Sequence, residues 1–252
     1  MRFLAPVVLA AAALSGLIFP ATFAGAAGGA ERAVMFASAG APGVALEGIL
    51  AVPGGNDAAP GVVICHPNPL AGGTMDNEIV KDMRGAFSGA GFATLRFNFR
   101  GVGRSTGKFA AGTGEVDDVL GALEFLRRQA GVDPARVSVV GYSFGARVGP
   151  EAAVRDGKAP ACACLGFPAR GEDDVSRSAY FKGITFPTVF VAGTEDAVCK
   201  LGVLESIVRA YGVERLCRLE PIQGADHFFT GVGQRGIAVR RIVQFVSRVG
   251  AR

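Results

Sequence analysis

"VSVVGYSFGARVG", residues 137–149, decides the fold. Its first half is a short Val-rich run bounded by glycine, the pattern of a strand buried on both faces. Its second half opens a helical pattern over 144–156. Between them Gly141-Tyr142-Ser143-Phe144-Gly145 reads G-x-S-x-G, and at a strand-to-helix junction this makes a nucleophile elbow. The tight turn lifts the Ser143 hydroxyl above the sheet. Glycines flank it because strand and helix approach too closely there for a Cβ. In a chain with 37 glycines the bare pattern has little weight, and the strand–turn–helix context supplies it.

A hydroxyl is a weak nucleophile and needs a base within hydrogen-bond reach. The chain holds 2 histidines, His66 and His227. Around such an elbow the chain order is Ser, acid, His, which selects His227 in "QGADHFFTG" (223–231). The acid that orients the imidazole should follow the penultimate strand. "PTVFVAGTEDAVCK" (187–200) offers Asp196 there, with Glu195 as a neighbouring competitor and a helix-capping role as the alternative for Asp196. Asp226 reads as a loop-shaping residue.

Strand-like runs alternate with helical ones along the whole chain. The strand candidates are 44–52, 61–66, 93–99, 136–142, 161–167, 188–193 and 216–222, read as buried parallel strands; the helical candidates are 76–89, 115–130, 144–156, 201–211 and 234–248. This alternation predicts an α/β sheet with crossover helices in one domain over 27–252. Ligands of such sheets bind beyond the carboxyl ends of the strands, which points to His66–Asn77, Arg100–Ser105, Ser143, Thr194–Asp196 and Asp226–His227. "HPNPLAGGTMDN" (66–77) raises a base, a metal ligand or a scaffold residue as roles for His66. Chain order leaves the scaffold role, with Thr74 or Asp76 expected to cap the following helix. "NFRGVGRSTG" (98–107) is not a dinucleotide fingerprint, since the glycine after Gly101 and Gly103 is Gly107, one place too far. Arg100 is expected to pair structurally.

Composition narrows the function classes. Half the residues are hydrophobic, 19% are charged, and the net charge of +4 forms no basic run with interleaved aromatics, so nucleic-acid binding is not expected. Residues 1–26 have Arg2, an apolar stretch from Phe3 to Phe19 and an A-x-A pattern at 24–26, the layout of a signal peptide. A periplasmic or secreted protein without stable membrane insertion is therefore expected. The 5 cysteines have no zinc-like spacing, and no metal or cofactor is expected; an oxidising compartment permits a disulfide such as Cys199–Cys217 without assigning one.

As a set, the elbow, the acid and histidine after late strands, and the loop Arg100-Gly101-Val102-Gly103-Arg104-Ser105 resemble the α/β-hydrolase superfamily. "HPNPLAGGTMDN", "ATLRFNFRGVGRSTG" (93–107), "GYSFGA" (141–146) and "GADHFF" (224–229) are similar to one branch of it. These are small, lid-poor bacterial serine hydrolases related to the dienelactone-hydrolase and serine-aminopeptidase-like groups. The resemblance spans most of 35–248. It implies an α/β-hydrolase fold, with a mostly parallel central sheet and helices on both faces. It also implies a Ser143–His227–Asp196 esterase acting on small acyl esters without a cofactor. An acyltransferase or perhydrolase on the same triad, or a non-catalytic binding protein, are the other readings. The branch commonly carries H-P-H-P where this chain has Asn68. The resemblance further implies an oxyanion hole made by the backbone N–H of Phe144 and one from the opening loop, Asn68 first and Leu70 second, since Pro67 and Pro69 lack the group. Lids of the superfamily usually follow the sixth strand. Here only 168–187 is inserted, which implies a minimal lid and an open site, with Phe109, Phe144, Phe228, Phe229 and Met75 as candidate lining.

Overall fold

The Val- and Ile-rich runs become strands because their side chains fill two cores at once. Alternate residues of one strand point to opposite faces: Val63 and Cys65 enter one hydrophobic cluster, Val62 and Ile64 the other. The structure, a computed structural model, describes residues 29–250 except residue 56, and the expected signal peptide lies outside them. Its strands are β1 (Arg32–Ala37), β2 (Ala45–Ala51), β3 (Ala59–Cys65), β4 (Ala93–Phe97), β5 (Val132–Tyr142), β6 (Cys162–Leu165), β7 (Thr188–Gly193) and β8 (Cys217–Ile222). Its helices are α1 (Glu78–Gly89), α2 (Thr113–Arg127), α3 (Phe144–Asp156), α4 (Asp173–Arg177), α5 (Leu201–Ala210) and α6 (Gln234–Gly250).

The strands form one sheet in the order β1-β2-β4-β3-β5-β6-β7-β8. From β4 onward every pairing is parallel. Helices α2, α3 and α5 cover one face, and α1 and α6 the other. Two sequence expectations change here. β2 is antiparallel to both neighbours; with β1 it forms a hairpin, whose turn is closed by Ser38 N–H to the Val44 carbonyl at 3.0 Å and is too short for a crossover. β1 has no counterpart among the predicted strands. It is an edge strand with only Phe36 buried, so it carries little hydrophobic pattern to read.

Two buried polar devices hold the loops at the carboxyl edge. Asp118 of α2, fully buried, grips the guanidinium and the backbone N–H of Arg100 at 2.8–3.1 Å, the expected structural pairing. His66, also fully buried, lies 2.7 Å from the Pro67 carbonyl through Nδ1 and accepts the Phe99 N–H at Nε2, 3.0 Å away. A carbonyl only accepts, so Nδ1 carries the proton and both ring nitrogens are committed to backbone. His66 is a scaffold residue tying the β3 loop to the end of β4. The loop then makes a 3-10 turn, Pro69–Ala71, and α1 is capped by the Asn77 side chain accepting the Ile79 N–H at 3.0 Å. This corrects the expected caps. Thr74 accepts the Asp76 N–H, and Asp76 pairs with Arg96.

All 5 cysteines are free and buried, and all belong to the core cluster under α2, α3 and α5. The Cys199–Cys217 bridge that the sequence permitted is not formed.

Burial lowers the His66 pKa to about 4, below the ordinary 6.5 it regains on unfolding. The unfolded chain therefore takes up the proton first. The contribution is whole above pH 6.5 and is lost as pH falls toward 4, up to about 3 kcal/mol. Denaturant unfolding at pH 7.5 and 4.5 should show a smaller acid loss for His66→Gln than for wild type by about 2–3 kcal/mol. Equal losses in the two proteins would remove His66 from this role.

Candidate functional site

β5 ends at Tyr142 and α3 begins at Phe144, leaving Ser143 as the turn, with φ +54° and ψ −116°. Few non-glycine residues occupy such backbone, and it persists only where its surroundings enforce it. The enforcement comes from the two glycines. A Cβ at Gly141 would lie 2.2 Å from the Gly145 carbonyl oxygen, and one at Gly145 would lie 2.3 Å from that of Cys65. The Ser143 N–H donates to the Leu165 carbonyl at 2.9 Å, anchoring the turn to β6.

His227 and Asp196 converge on this turn from the loops after β8 and β7. Ser143 Oγ is 2.9 Å from His227 Nε2, and His227 Nδ1 is 2.8 Å from Asp196 Oδ2. Asp196 Oδ1 accepts the N–H groups of Val198 and Cys199, both at 2.8 Å, which pins the carboxylate and leaves Oδ2 for the imidazole. An ionised carboxylate only accepts, so Nδ1 carries the proton and Nε2 faces the hydroxyl as an acceptor. Glu195, the competitor, is exposed. Asp226 accepts the N–H groups of Phe228 and Thr230 and the Thr230 hydroxyl, shaping the loop that delivers His227.

The imidazole sits in a slot whose other walls were not among the sequence candidates. The Tyr142 ring lies 5.6 Å from it, centroid to centroid, and the Tyr142 hydroxyl donates to the His227 carbonyl at 3.1 Å. Burial pushes this phenol up, so it stays a donor. Opposite, Gly166 has φ +58°, and a Cβ there would stand 3.0 Å from Cε1 and 3.1 Å from Nδ1 of His227. The sequence places Gly166 inside the expected strand 161–167; β6 ends at Leu165, so Gly166 stands at a strand end.

Ser143 opens into a cleft of about 930 Å³ that Asn68, Phe144 and His227 also line. Phe144 is the first residue of α3, so its N–H lacks an intrahelical acceptor. The two donors proposed for the opening loop separate. The Leu70 N–H donates to Asn68 Oδ1 at 3.0 Å, whereas the Asn68 N–H has no acceptor among the described residues. Of the expected apolar lining, Phe144 and Phe228 are present. Phe229 and Met75 are buried in packing, and Phe109 packs against Phe144 with the rings tilted and centroids 5.7 Å apart. The loop of Arg100–Ser105 does not reach the cleft; it is tied to β2, Arg104 N–H donating to Glu47 at 2.6 Å. The connector 168–187 carries α4 and one further 3-10 turn, and its first half forms the far wall. Arg147 of α3 holds that wall, reaching Asp174 Oδ1 and the Pro168 carbonyl at 3.3 Å each, while Asp174 Oδ2 accepts the Arg170 N–H at 2.7 Å.

A serine on a strained strand-to-helix turn, hydrogen-bonded to a histidine and through it to an aspartate at the carboxyl edge of a parallel sheet, defines the serine-hydrolase class of α/β protein. A family model described as alpha/beta hydrolase domain matches residues 60–250. An uncharacterised protein of Rickettsia prowazekii is 30% identical over 176 residues, 68% of this chain and 72% of that protein. An alpha-beta serine hydrolase homologue from Coxiella burnetii has a similar structure, with a TM-score of 0.70 and 29% identity over 84% of this chain and 97% of the other. The esterase EstD of Thermotoga maritima is 30% identical over 135 residues, 52% of this chain and 32% of that protein. The chain belongs to the alpha/beta hydrolase domain family and is a hydrolase.

The elbow glycines should be irreplaceable on packing grounds alone. Gly145→Ala drives a methyl into backbone and is expected to cost roughly 3 kcal/mol or more in denaturant unfolding. Gly85→Ala, in α1 with open space around its Cβ, should be neutral or stabilising. Similar unfolding midpoints for the two variants would contradict this account.

Proposed function

We propose that this chain is a carboxylesterase-like serine hydrolase that cleaves small acyl esters through an acyl-enzyme. The observation that carries the reading is the continuous hydrogen-bonded path from Asp196 through His227 to Ser143 Oγ, at 2.8 and 2.9 Å. Family membership and the similarity to an esterase over part of the chain support it.

In this reading Ser143 Oγ attacks the ester carbonyl as its proton passes to His227 Nε2. The imidazolium is stabilised by Asp196, which keeps its own charge. The carbonyl oxygen becomes an oxyanion between the N–H groups of Phe144 and Asn68. The two prolines around Asn68 stiffen its loop, so that this donor is preorganised; such a donor is worth about 3–4 kcal/mol in the transition state. His227 returns the proton to the departing alcohol, and water, activated by the same nitrogen, releases the acid and restores Ser143. Tyr142 and Gly166 act through His227 as positioning residues. The apolar stretch after Arg2 and the A-x-A pattern at 24–26 support export as part of the same reading, which N-terminal sequencing of the secreted or periplasmic form tests directly: an intact Met1 would end it.

Purified protein should hydrolyse p-nitrophenyl acetate, and a fluorophosphonate should label Ser143. Ser143→Ala is expected to lower turnover by on the order of 10⁶. Gly166→Ala, which crowds the imidazole without touching substrate, should lower kcat about 10²-fold with little change in KM. Wild-type turnover by Ser143→Ala, or labelling of a different residue, would sink the assignment.

A further inference from the structure

Beyond Ser143 and His227 the cleft is walled by 168–177, and Arg170, Glu172, Asp173 and Arg177 of this wall all line the cleft and are exposed. Their neighbours Arg147 and Asp174 are committed to each other and to loop backbone. By contrast, none of the four exposed side chains makes a hydrogen bond or ion pair among the described residues. Two are cationic and two anionic, so the wall carries no net sign. A free carboxylate or phosphate would meet Glu172 and Asp173, and an ammonium would meet the arginines. A guanidinium only donates and a carboxylate only accepts, so the group that satisfies both is a neutral one that donates and accepts, and a hydroxyl does this with a single atom.

The apolar part of the cleft is small. Phe144, Val198 and Phe228 are its larger apolar side chains, too few to cover a long acyl chain along its length. Phe228 is 66% exposed, its ring 5.5 Å from that of His227, and presents a flat apolar face at the mouth of the cleft. A flat ring with an apolar face and a rim of hydroxyls matches this pairing of an aromatic platform with charges of both signs. From these observations we infer that the substrate is a short-chain acyl ester of a sugar or similar polyol. The alcohol part lies between Phe228 and the 168–177 wall while the acyl carbonyl sits at Ser143. This rests on the serine-hydrolase reading and specifies its substrate class.

The test compares acid release from methyl 6-O-acetylglucoside, whose remaining hydroxyls are free to meet the wall, with that from trifluoroethyl acetate, whose leaving group is the more acidic, and from trifluoroethyl octanoate. The sugar acetate should exceed trifluoroethyl acetate at least 10-fold in kcat/KM, with the octanoate the poorest. Both the Glu172→Gln/Asp173→Asn variant and Phe228→Ala should lower the sugar-to-alkyl ratio 5-fold or more. A ratio near one, a ratio unmoved by these variants, or a preference for octanoate overturns the inference. Calorimetry with Ser143→Ala separates the two levels of the reading. Binding of the sugar acetate without cleavage of any ester by wild type would retain the polyol subsite and reject the hydrolase. Ser143-dependent cleavage without sugar preference would do the reverse.

Discussion

Gly145 lies against the carbonyl of Cys65, so close that a methyl group in its place would overlap the oxygen. That contact sets where α3 leaves β5, and with it the height and direction of Ser143. Because β3 and β5 are neighbours in the sheet, the loop leaving β3 must pass beside the same serine, which brings Asn68 to the cleft that Ser143 opens into. On the other side, β6 receives the Ser143 N–H, and β7 and β8 follow in order, so their loops deliver Asp196 and then His227. The strained backbone at Ser143 is tolerated because two glycines and one carbonyl leave the turn no roomier course.

The two histidines show how hydrogen-bond partners divide one side-chain type between roles. Both are nearly or fully buried. Each holds its proton on Nδ1, His66 against a carbonyl and His227 against a carboxylate. What differs is the second nitrogen. In His66 it accepts a backbone N–H and has nothing left to give, and burial keeps the ring neutral far into acid. In His227 it faces the Ser143 hydroxyl at 2.9 Å, with the Asp196 carboxylate on the other ring nitrogen.

The parts of this architecture that could be read from the chain are those where a residue type is forced by local geometry. The G-x-S-x-G turn, the Val-rich strands, and the acid and histidine after late strands are such cases, and the scaffold role of His66 followed from chain order. The parts that escaped depend on what lies across space. β1 has one buried side chain and therefore no period to detect. Gly166 is needed because an imidazole 61 positions further along the chain occupies the space of its missing side chain, and its own neighbourhood marks only a strand end. Met75 and Phe229 look like pocket residues by position but are drawn into packing, while 168–187 reads in sequence as a minimal lid and its part in walling the cleft shows only in space. Thr74 and Asp76 lost the capping role to Asn77 because Arg96 holds Asp76 elsewhere.

The five thiols, gathered in one core cluster, have a kinetic meaning. Burial raises the thiols of Cys65, Cys164, Cys199 and Cys217, so the folded chain offers almost no thiolate for exchange or oxidation. No cross-link among the five cysteines contributes to the native state, so a reducing agent has no bond there to break. The thiols are open to chemistry only while α2, α3 and α5 have yet to close over that face of the sheet. For this protein the redox state of the surroundings therefore matters as a competitor to folding: the speed at which one layer of helices docks decides whether sulfur chemistry occurs at all.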